Sequence, residues 1–226
     1  MIEVFRKELK YSISTVAFYR LRPMLDAVMR LDEYSGANGY EVRSLYFDSI
    51  RDDDLTDVLA GLLNKQKVRL RCYDTGAETF KLEYKCKTGT DSRKLSLSVP
   101  RRDAKRMISG RYEFLADMDA LLASELYGRL ITGVYLPRVV VVYRRIAYTS
   151  KLNDVRVTFD HEVGASLDAQ ALMNDKVVLV PVSATGSGVL EVKYNSFLPE
   201  YIKCALGGVN LSPTANSKYA QSRLIF

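Results

Sequence analysis

Histidine and cysteine are scarce in this sequence, and their scarcity excludes several kinds of site. The single histidine, His161, cannot supply a zinc centre built on histidines, and a Ser-His-Asp triad would have to use it. The three cysteines, Cys72, Cys86 and Cys204, include no CxxC pair, and their odd number argues against a disulfide framework. Cys72 and Cys86 fall on apolar faces of predicted strands, so we expect small buried thiols, whereas His161 follows a strand and is expected at the surface or in a turn. Chemistry therefore has to depend on carboxylates, lysines, arginines and any metal that they bind.

Long apolar runs and familiar nucleotide-binding loops are also absent. No apolar stretch approaches the length that spans a bilayer, and the N-terminal segment lacks the apolar core and cleavage site of a signal peptide, so we expect a cytoplasmic protein. Neither a G-x-x-x-x-G-K-[ST] loop nor a G-x-G-x-x-G after a strand occurs, which excludes P-loop and Rossmann sites. Because no repeat or Pro/Gly/Ser-rich linker divides the 226 residues, the sequence predicts a single domain over 1–226.

Two neighbouring segments place charged residues at every second position. The sequence reads KVRLRCYD at 67–74 and KLEYKCK at 81–87, and a period of two is typical of strands. One face of these strands would carry Lys67, Arg69, Arg71, Lys81, Glu83, Lys85 and Lys87. The net charge of +6 indicates an anionic partner without naming it, so the placement of the charges is the more informative observation.

Further segments repeat this bias and give about eight strands, which their hairpin-like spacing predicts to be antiparallel. Their polar positions add Arg6, Glu8, Lys10, Lys94, Arg145, Arg156, Glu191 and Lys193. A solvated face explains any one strand, but like charges side by side repel unless an anion lies among them. We therefore predict an α+β fold in which a closed tunnel of about eight antiparallel strands has its charges inside and helices packed outside.

Helical signals lie between these strands. Ser14 or Thr15 is expected to cap a helix in which Pro23 either causes a kink or marks a new start. A short helix is predicted in DDDLTDVLAGLLNK, and the main helical insert over 102–131. Ser212 as N-cap and Pro213 at the first position predict that the C-terminal helix begins there.

A basic interior suits an elongated polyanion, such as a triphosphate, polyphosphate or a nucleic-acid backbone. Nucleic acid is not expected, because the 15 tyrosines fall mainly on apolar strand faces or helices instead of alternating with the basic residues. Glu8, Glu83 and Glu191 share the polar face with the cations. Since oxygen ligands favour Mg²⁺ or Mn²⁺, these carboxylates indicate a divalent metal.

Motifs in a fixed order carry a resemblance that covers about residues 3 to 222. They read RKELKY, SLYFDS, KVRLRCY, KLEYKCKTG, YRRIAY, VRVTFD, VLEVKY and SKY. The set resembles the triphosphate tunnel metalloenzymes of the CYTH-like superfamily and is most similar to the VTC-type polyphosphate polymerase domain. The resemblance implies a tunnel of eight antiparallel strands, transfer of the γ-phosphate of ATP to a growing polyphosphate chain, and Mn²⁺ or Mg²⁺ bound through a glutamate.

The resemblance also implies roles for individual residues. Arg69 and Arg71 match the family's phosphate-binding arginine pair, and Glu191 matches its metal-binding glutamate. The cations expected to act in catalysis are Lys10, Arg69, Arg71, Lys85, Arg145, Arg156 and Lys193, and those expected to bind the phosphate chain are Lys67, Lys87, Lys94 and Lys218. Glu8 and Glu83 are further candidates for the metal.

One departure from the family pattern separates the possible activities. Arg6 stands where hydrolytic and cyclising tunnel enzymes have the first glutamate of E-x-E-x-K, which favours the polymerase branch. Hydrolysis of tripolyphosphate or of a nucleoside triphosphate is the nearest alternative, and non-enzymatic polyphosphate binding is another, against which an acid such as Glu191 among cations argues. The expected partners are ATP or another triphosphate and inorganic polyphosphate. Because no membrane segment is evident, coupling to translocation would need a separate membrane partner.

Overall fold

The computed structural model describes residues 6–88 and 91–226, with the side chains of Arg6, Asp91 and Ser92 outside this description. The strands are β1 (Arg6–Ser14), β2 (Arg30–Leu31), β3 (Tyr40–Asp48), β4 (Lys65–Cys72), β5 (Thr79–Thr88), β6 (Asp91–Pro100), β7 (Leu136–Ser150), β8 (Val155–Ser166), β9 (Val180–Pro181), β10 (Ser187–Asn195) and β11 (Ser212–Pro213). The helices are α1 (Thr15–Val28), α2 (Asp53–Leu59), α3 (Arg101–Ile108), α4 (Leu121–Thr132), α5 (Glu200–Leu206) and α6 (Lys218–Leu224). Eight of the described strands have at least eight residues, in agreement with the number that alternation predicted.

Contacts divide the chain into two compact units. The first consists of the described residues up to Glu41, together with Tyr143–Val163 and Pro181–Asn216. The second consists of Val42–Val142, Gly164–Val180 and Ser217–Phe226. The expectation of a single domain over the whole chain stays a prediction.

In the first unit the strands are hydrogen-bonded in the order β11-β1-β10-β8-β7, and β10 is antiparallel to both β1 and β8. Helix α1 begins after Ser14, whose side chain accepts a hydrogen bond from the backbone N–H of Ala17 at 3.1 Å, and it continues through Pro23. Its apolar face covers β8, where the rings of Phe18 and Phe159 stack with centroids 4.0 Å apart. The other side of β8 and β10 is left to polar residues.

In the second unit the order is β7-β3-β4-β5-β6, with antiparallel ladders from β3 to β6. Leu45, Leu70 and Leu82 lie directly opposite one another on β3, β4 and β5, and all three are fully buried. They belong to a core that also contains Met107 of α3 and Leu126 of α4. Since successive side chains of a strand point to opposite faces, the alternate residues form a polar face.

The α+β class and the antiparallel strands are as the sequence predicted. The hydrogen-bonded path begins at β11 and ends at β6. Within the described residues, ladder hydrogen bonds therefore do not close the strands into a ring, which is a difference from the expected closed barrel. Among the same residues, no helix combines the length and apolar character that a membrane span requires.

Two local predictions were wrong. Ser212 and Pro213 do not begin a helix but form β11, which pairs with Ser12 and Tyr11 of β1, and α6 begins five residues later after Ser217. His161 is neither in a turn nor at the surface, because β8 continues past it and the residue is only 8% exposed. Pairing with a neighbouring strand outweighs the helix-start signal at Ser212 and Pro213 and the turn signal at His161.

Candidate functional site

The polar side of β3 to β6 carries most of the predicted phosphate-binding residues, and we call it the second-unit face. Its members are Tyr46, Lys67, Arg69, Arg71, Glu83, Lys85 and Lys94. Within it Arg69 lies directly opposite Glu83 across β4 and β5. The sequence prediction that Lys67, Arg69 and Arg71 share a face with Lys85 therefore holds within this unit, as does the burial of Val68 and Leu70 on the other face.

Glu83 is the acceptor around which the arginines are arranged. Its carboxylate accepts a hydrogen bond from Nε of Arg69 at 2.6 Å, forms an ion pair with Arg71 at 3.5 Å, and also contacts the ammonium of Lys94. Burial alone would raise the pKa of Glu83, but the charges of Arg69, Arg71 and Lys94 lower it to about 2. The carboxylate is thus ionised at neutral pH and fixes the two guanidinium groups.

Arg71 has a donor that this arrangement does not use. The residue is 8% exposed, and its Nε is buried without a hydrogen-bond partner among the described residues. A buried donor without an acceptor costs roughly 1 to 3 kcal/mol, which an anion on this face would recover. The guanidinium group is accordingly suited to a phosphate oxygen.

Three lysines lie side by side on the second-unit face. Lys67, Lys85 and Lys94 are cross-strand neighbours on β4, β5 and β6, and Lys65 and Lys87 are opposite one another two residues further along. Ser217 is the N-cap of α6, and its hydroxyl accepts a hydrogen bond from the ammonium of Lys67 at 2.8 Å. Like charges directly opposite one another are destabilising, so a polyanion bound along these strands would stabilise the folded unit.

Tyr46 belongs to this face although sequence reasoning did not select it. Its hydroxyl accepts a hydrogen bond from Nη1 of Arg69 at 3.1 Å, and its ring stacks on that of Tyr219 with centroids 5.1 Å apart. The hydroxyl of Tyr219 donates to Asp48, which anchors α6 on the unit. The signal in the sequence was the alternation in SLYFDS, which puts Tyr46 and Asp48 on one side of β3. Lys218, the first residue of α6, is half-buried next to this anchor.

The polar side of β1, β10 and β8 forms a separate cluster, which we call the first-unit face. Its members are Glu8, Lys10, Glu191, Lys193, Arg156 and Thr158. Lys10 lies 3.1 Å from Glu8 and 3.8 Å from Glu191, and Lys193 lies 3.1 Å from Glu191 and 3.9 Å from Glu8, measured between ammonium and carboxylate atoms. Two carboxylates therefore alternate with two ammonium groups. Burial lowers the pKa of Lys193, although Glu191 and Glu8 act in the opposite direction.

The donor set of the first-unit face fits a divalent cation bound together with an anion. Glu8 and Glu191 are the two carboxylates that the structure brings together, and Mg²⁺ is commonly held by one or two carboxylates plus phosphate oxygens and water. No cluster of three or more acidic, histidine or cysteine side chains suited to a metal occurs among the residues that the structure describes. Glu83 fits a metal less well, because Arg69, Arg71 and Lys94 already contact its carboxylate.

Two predicted cations of the first unit are paired with acids. Nε and Nη2 of Arg145 donate to the two carboxylate oxygens of Asp160 at 2.6 and 2.7 Å. Burial would lower the pKa of Arg145, but the Asp160 carboxylate raises it well above its ordinary value. Arg156 pairs with Asp32 at 2.9 Å and donates to the hydroxyl of Tyr40 at 3.3 Å. Sequence reasoning missed these partners, because spacing alone does not show which residues of different strands meet.

Comparisons with known proteins agree with this fold. A family model for the VTC domain matches residues 5–226. The structure is similar to that of a candidate adenylate cyclase from Bacillus halodurans, at 12% identity and a TM-score of 0.54 over 94% of this chain and 96% of that chain. It is also similar to a candidate adenylyl cyclase from Hippeastrum, described as having a dominant triphosphatase activity, at 14% identity and a TM-score of 0.55 over 98% and 96% of the two chains. No curated protein sequence matches this chain. At such low identity the structural similarity shows a shared fold.

Proposed function

The chain belongs to the VTC domain family, and we propose that it transfers the γ-phosphate of ATP to a growing polyphosphate chain. The observation that carries the proposal is the second-unit face, where Arg69 and Arg71 lie beside the lysine row of Lys67, Lys85 and Lys94. In the described part of the chain, these five cations lie on two neighbouring strands and β6, and Arg69, Arg71 and Lys94 all contact the carboxylate of Glu83. Such a row matches a ligand whose charges repeat along its length.

In the proposed reaction, a terminal oxygen of the acceptor chain attacks the γ-phosphorus of ATP. A new P–O bond forms, the bond between the γ-phosphorus and the bridging oxygen breaks, and ADP leaves with that oxygen. Phosphoryl transfer of this kind needs alignment and charge stabilisation instead of a nucleophilic side chain. Arg69 and Arg71, which Glu83 holds in place, would supply both to the phosphate oxygens. The scarcity of histidine is then no obstacle.

The first-unit face would bind the divalent metal that the reaction requires. We propose that Glu191 and Glu8 hold Mn²⁺ or Mg²⁺, which when bound neutralises charge on phosphate oxygens. Lys10 and Lys193 keep the two carboxylates in position, and both lysines are half-buried. In this proposal Lys10, Lys193, Arg145 and Arg156 stabilise negative charge on this face, the arginines in positions that their aspartate partners determine.

Hydrolysis of a triphosphate is the second candidate function. It would use the same phosphate-binding residues, with water in place of the acceptor chain. The Hippeastrum protein of similar fold is described as having a dominant triphosphatase activity, and this observation favours hydrolysis as the second candidate. Arg6, at the position of the first acid of hydrolytic family members, favours the polymerase.

Product analysis tests the proposal. The purified protein is incubated with ATP and Mn²⁺, and the products are resolved by size. We expect long-chain polyphosphate from the wild type and from Lys105→Ala, which removes an exposed cation of α3, and a large loss of product from Arg69→Ala. Production of free phosphate alone would support the hydrolase, and binding without turnover would support a polyphosphate-binding domain.

A further inference from the structure

Tyr46 is a buried phenol in the middle of the second-unit face that the proposed chemistry does not use. The residue is 6% exposed and lies directly opposite Arg69 on the neighbouring strand. Its hydroxyl oxygen accepts the hydrogen bond from Nη1 of Arg69 at 3.1 Å, while Nε of the same guanidinium donates to Glu83 at 2.6 Å. Tyr46 and Glu83 therefore hold Arg69 from two sides.

The surroundings of the phenol are unusually basic. Burial alone would raise the pKa of Tyr46, but Arg69, Lys67 and Arg71 lower it to about 8. The groups that act on it directly are Arg69, Lys67 and Arg71 of β4 and the ring of Tyr219 of α6. One contact further away, Glu83 of β5 accepts from Arg69 and is contacted by Lys94 of β6, while Asp48 of β3 and Arg223 of α6 both contact the hydroxyl of Tyr219. Each of these two acids already has partners: Glu83 forms ion pairs with three cations, and Asp48 accepts a hydrogen bond from the hydroxyl of Tyr219. The positive groups of β4 therefore dominate at the phenol.

We infer that Tyr46 is a positioning residue for Arg69 and that its proton is linked to polyphosphate binding, so that the face binds the anion when the phenol is protonated and releases it when the phenol ionises. This inference rests on the proposed function, because it assumes that the second-unit face binds phosphate.

Charge explains the linkage. A neutral Tyr46 accepts the hydrogen bond that orients Arg69 and leaves the positive charge of the guanidinium for a phosphate. A phenolate at the same place neutralises part of that charge and repels phosphate oxygens. By thermodynamic linkage, a bound anion must raise the proton affinity of the phenol by the same free energy. The affinity of the face for polyphosphate would therefore fall in mildly alkaline solution.

Absorbance of tyrosinate tests the ionisation directly. We expect the wild-type chain to show one phenol ionising near pH 8, which Tyr46→Phe lacks and which tripolyphosphate shifts upward. Tyr84→Phe is the matched control, because Tyr84 lies on the buried side of β5 and burial raises its pKa. Phenylalanine keeps the ring that stacks on Tyr219, and equal melting temperatures would confirm that the fold is kept.

Metal-free titration calorimetry with tripolyphosphate tests the linkage. Comparison between variants at each pH cancels the protonation of the ligand. Above pH 8 the wild type should lose affinity by about tenfold per pH unit relative to Tyr46→Phe, and Tyr84→Phe should follow the wild type. At pH 7 Tyr46→Phe should bind up to about tenfold more weakly, since Arg69 has lost the hydroxyl that accepts its Nη1 hydrogen bond.

The possible failures are distinguishable. If Tyr46→Phe shows the same phenol ionisation or the same pH dependence of binding as the wild type, the inference is wrong and the proposed function stands. If the wild type does not bind tripolyphosphate at pH 7, the proposed function is wrong, and the linkage is wrong with it.

Discussion

Among single residues, Glu83 is an acid at the centre of the basic second-unit face. It is 5% exposed and contacts Arg69, Arg71 and Lys94. Removing one partner from a buried ion pair is strongly destabilising, because the remaining charges stay buried without compensation. Glu83 thus stabilises the unit and at the same time determines where the guanidinium groups point.

Glu83→Gln should destabilise the folded protein by about 3 kcal/mol at pH 6. The pKa of Glu83 in the folded chain, about 2, is below its ordinary value, so its contribution is present above about pH 4.5 and is lost as the pH falls toward 2. The difference in free energy of unfolding between wild type and variant should therefore shrink between pH 6 and pH 3 in urea titrations. The exposed Glu78 supplies the control Glu78→Gln, with an expected change below about 0.5 kcal/mol. A difference that stays constant with pH would contradict this role.

Glu191 and Arg69 should differ in how they affect binding. Glu191→Gln removes a negative charge next to Lys10 and Lys193, so metal-free binding of tripolyphosphate should stay equal or become tighter, while metal-dependent turnover is lost. Arg69→Ala removes a charged donor and should weaken binding by at least about tenfold with or without metal. Titration calorimetry without metal measures both, with Lys105→Ala as control. Equally weak binding by the Glu191 and Arg69 variants would contradict the metal assignment.

Among the secondary-structure elements, α2 has an acid, Asp54, that is buried in the interior of the second unit. Asp54 lies in its first turn, is fully buried and accepts hydrogen bonds from the hydroxyl of Tyr135 at 3.1 Å. Burial, together with the nearby charge of Asp48, raises the pKa of Asp54 to about 7. The docking of α2 on the second unit is therefore linked to the protonation of this side chain.

Asp54→Asn should stabilise the protein in a pH-dependent way. The raised pKa means that the wild type loses stability as the pH rises from about 4, where the unfolded chain ionises, to about 7, where the folded chain does. The advantage of the variant should consequently grow by about 3 kcal/mol between pH 5 and pH 8, at about 1.4 kcal/mol for each pH unit up to about pH 7. Chemical denaturation at the two values measures it, with Asp57→Asn on the same helix as control. An advantage of the same size at both values would show that Asp54 does not ionise in this range.

The elements also show what the sequence could and could not predict. Alternation located the long strands and their charged faces, because a period of two depends only on neighbouring residues of one strand. Ser212 and Pro213 resemble a helix start, yet they pair with β1, and the backbone N–H of Thr214 donates to the carbonyl of Lys10 at 3.0 Å. Helix α5 was not predicted. Tertiary hydrogen bonds and burial outweigh local propensity at such places.

The partners of the charged residues depend on strand register, which spacing does not determine. Arg145 with Asp160, and Arg69 with Tyr46, meet only once the strands are paired. The roles that the resemblance assigned to the cations stay predictions, whereas the acids and the phenol that contact them were found only in the structure. The prediction that the charged residues of both units line one interior stays a prediction.

For the molecule as a whole, the fate of the γ-phosphate of ATP tests the central claim most directly. ADP and free phosphate are measured together while the wild-type protein consumes ATP with Mn²⁺. A polymerase accumulates ADP without an equal amount of free phosphate, and the missing phosphate is recovered in chains longer than triphosphate. Release of ADP and free phosphate in equal amounts throughout the reaction would contradict the account.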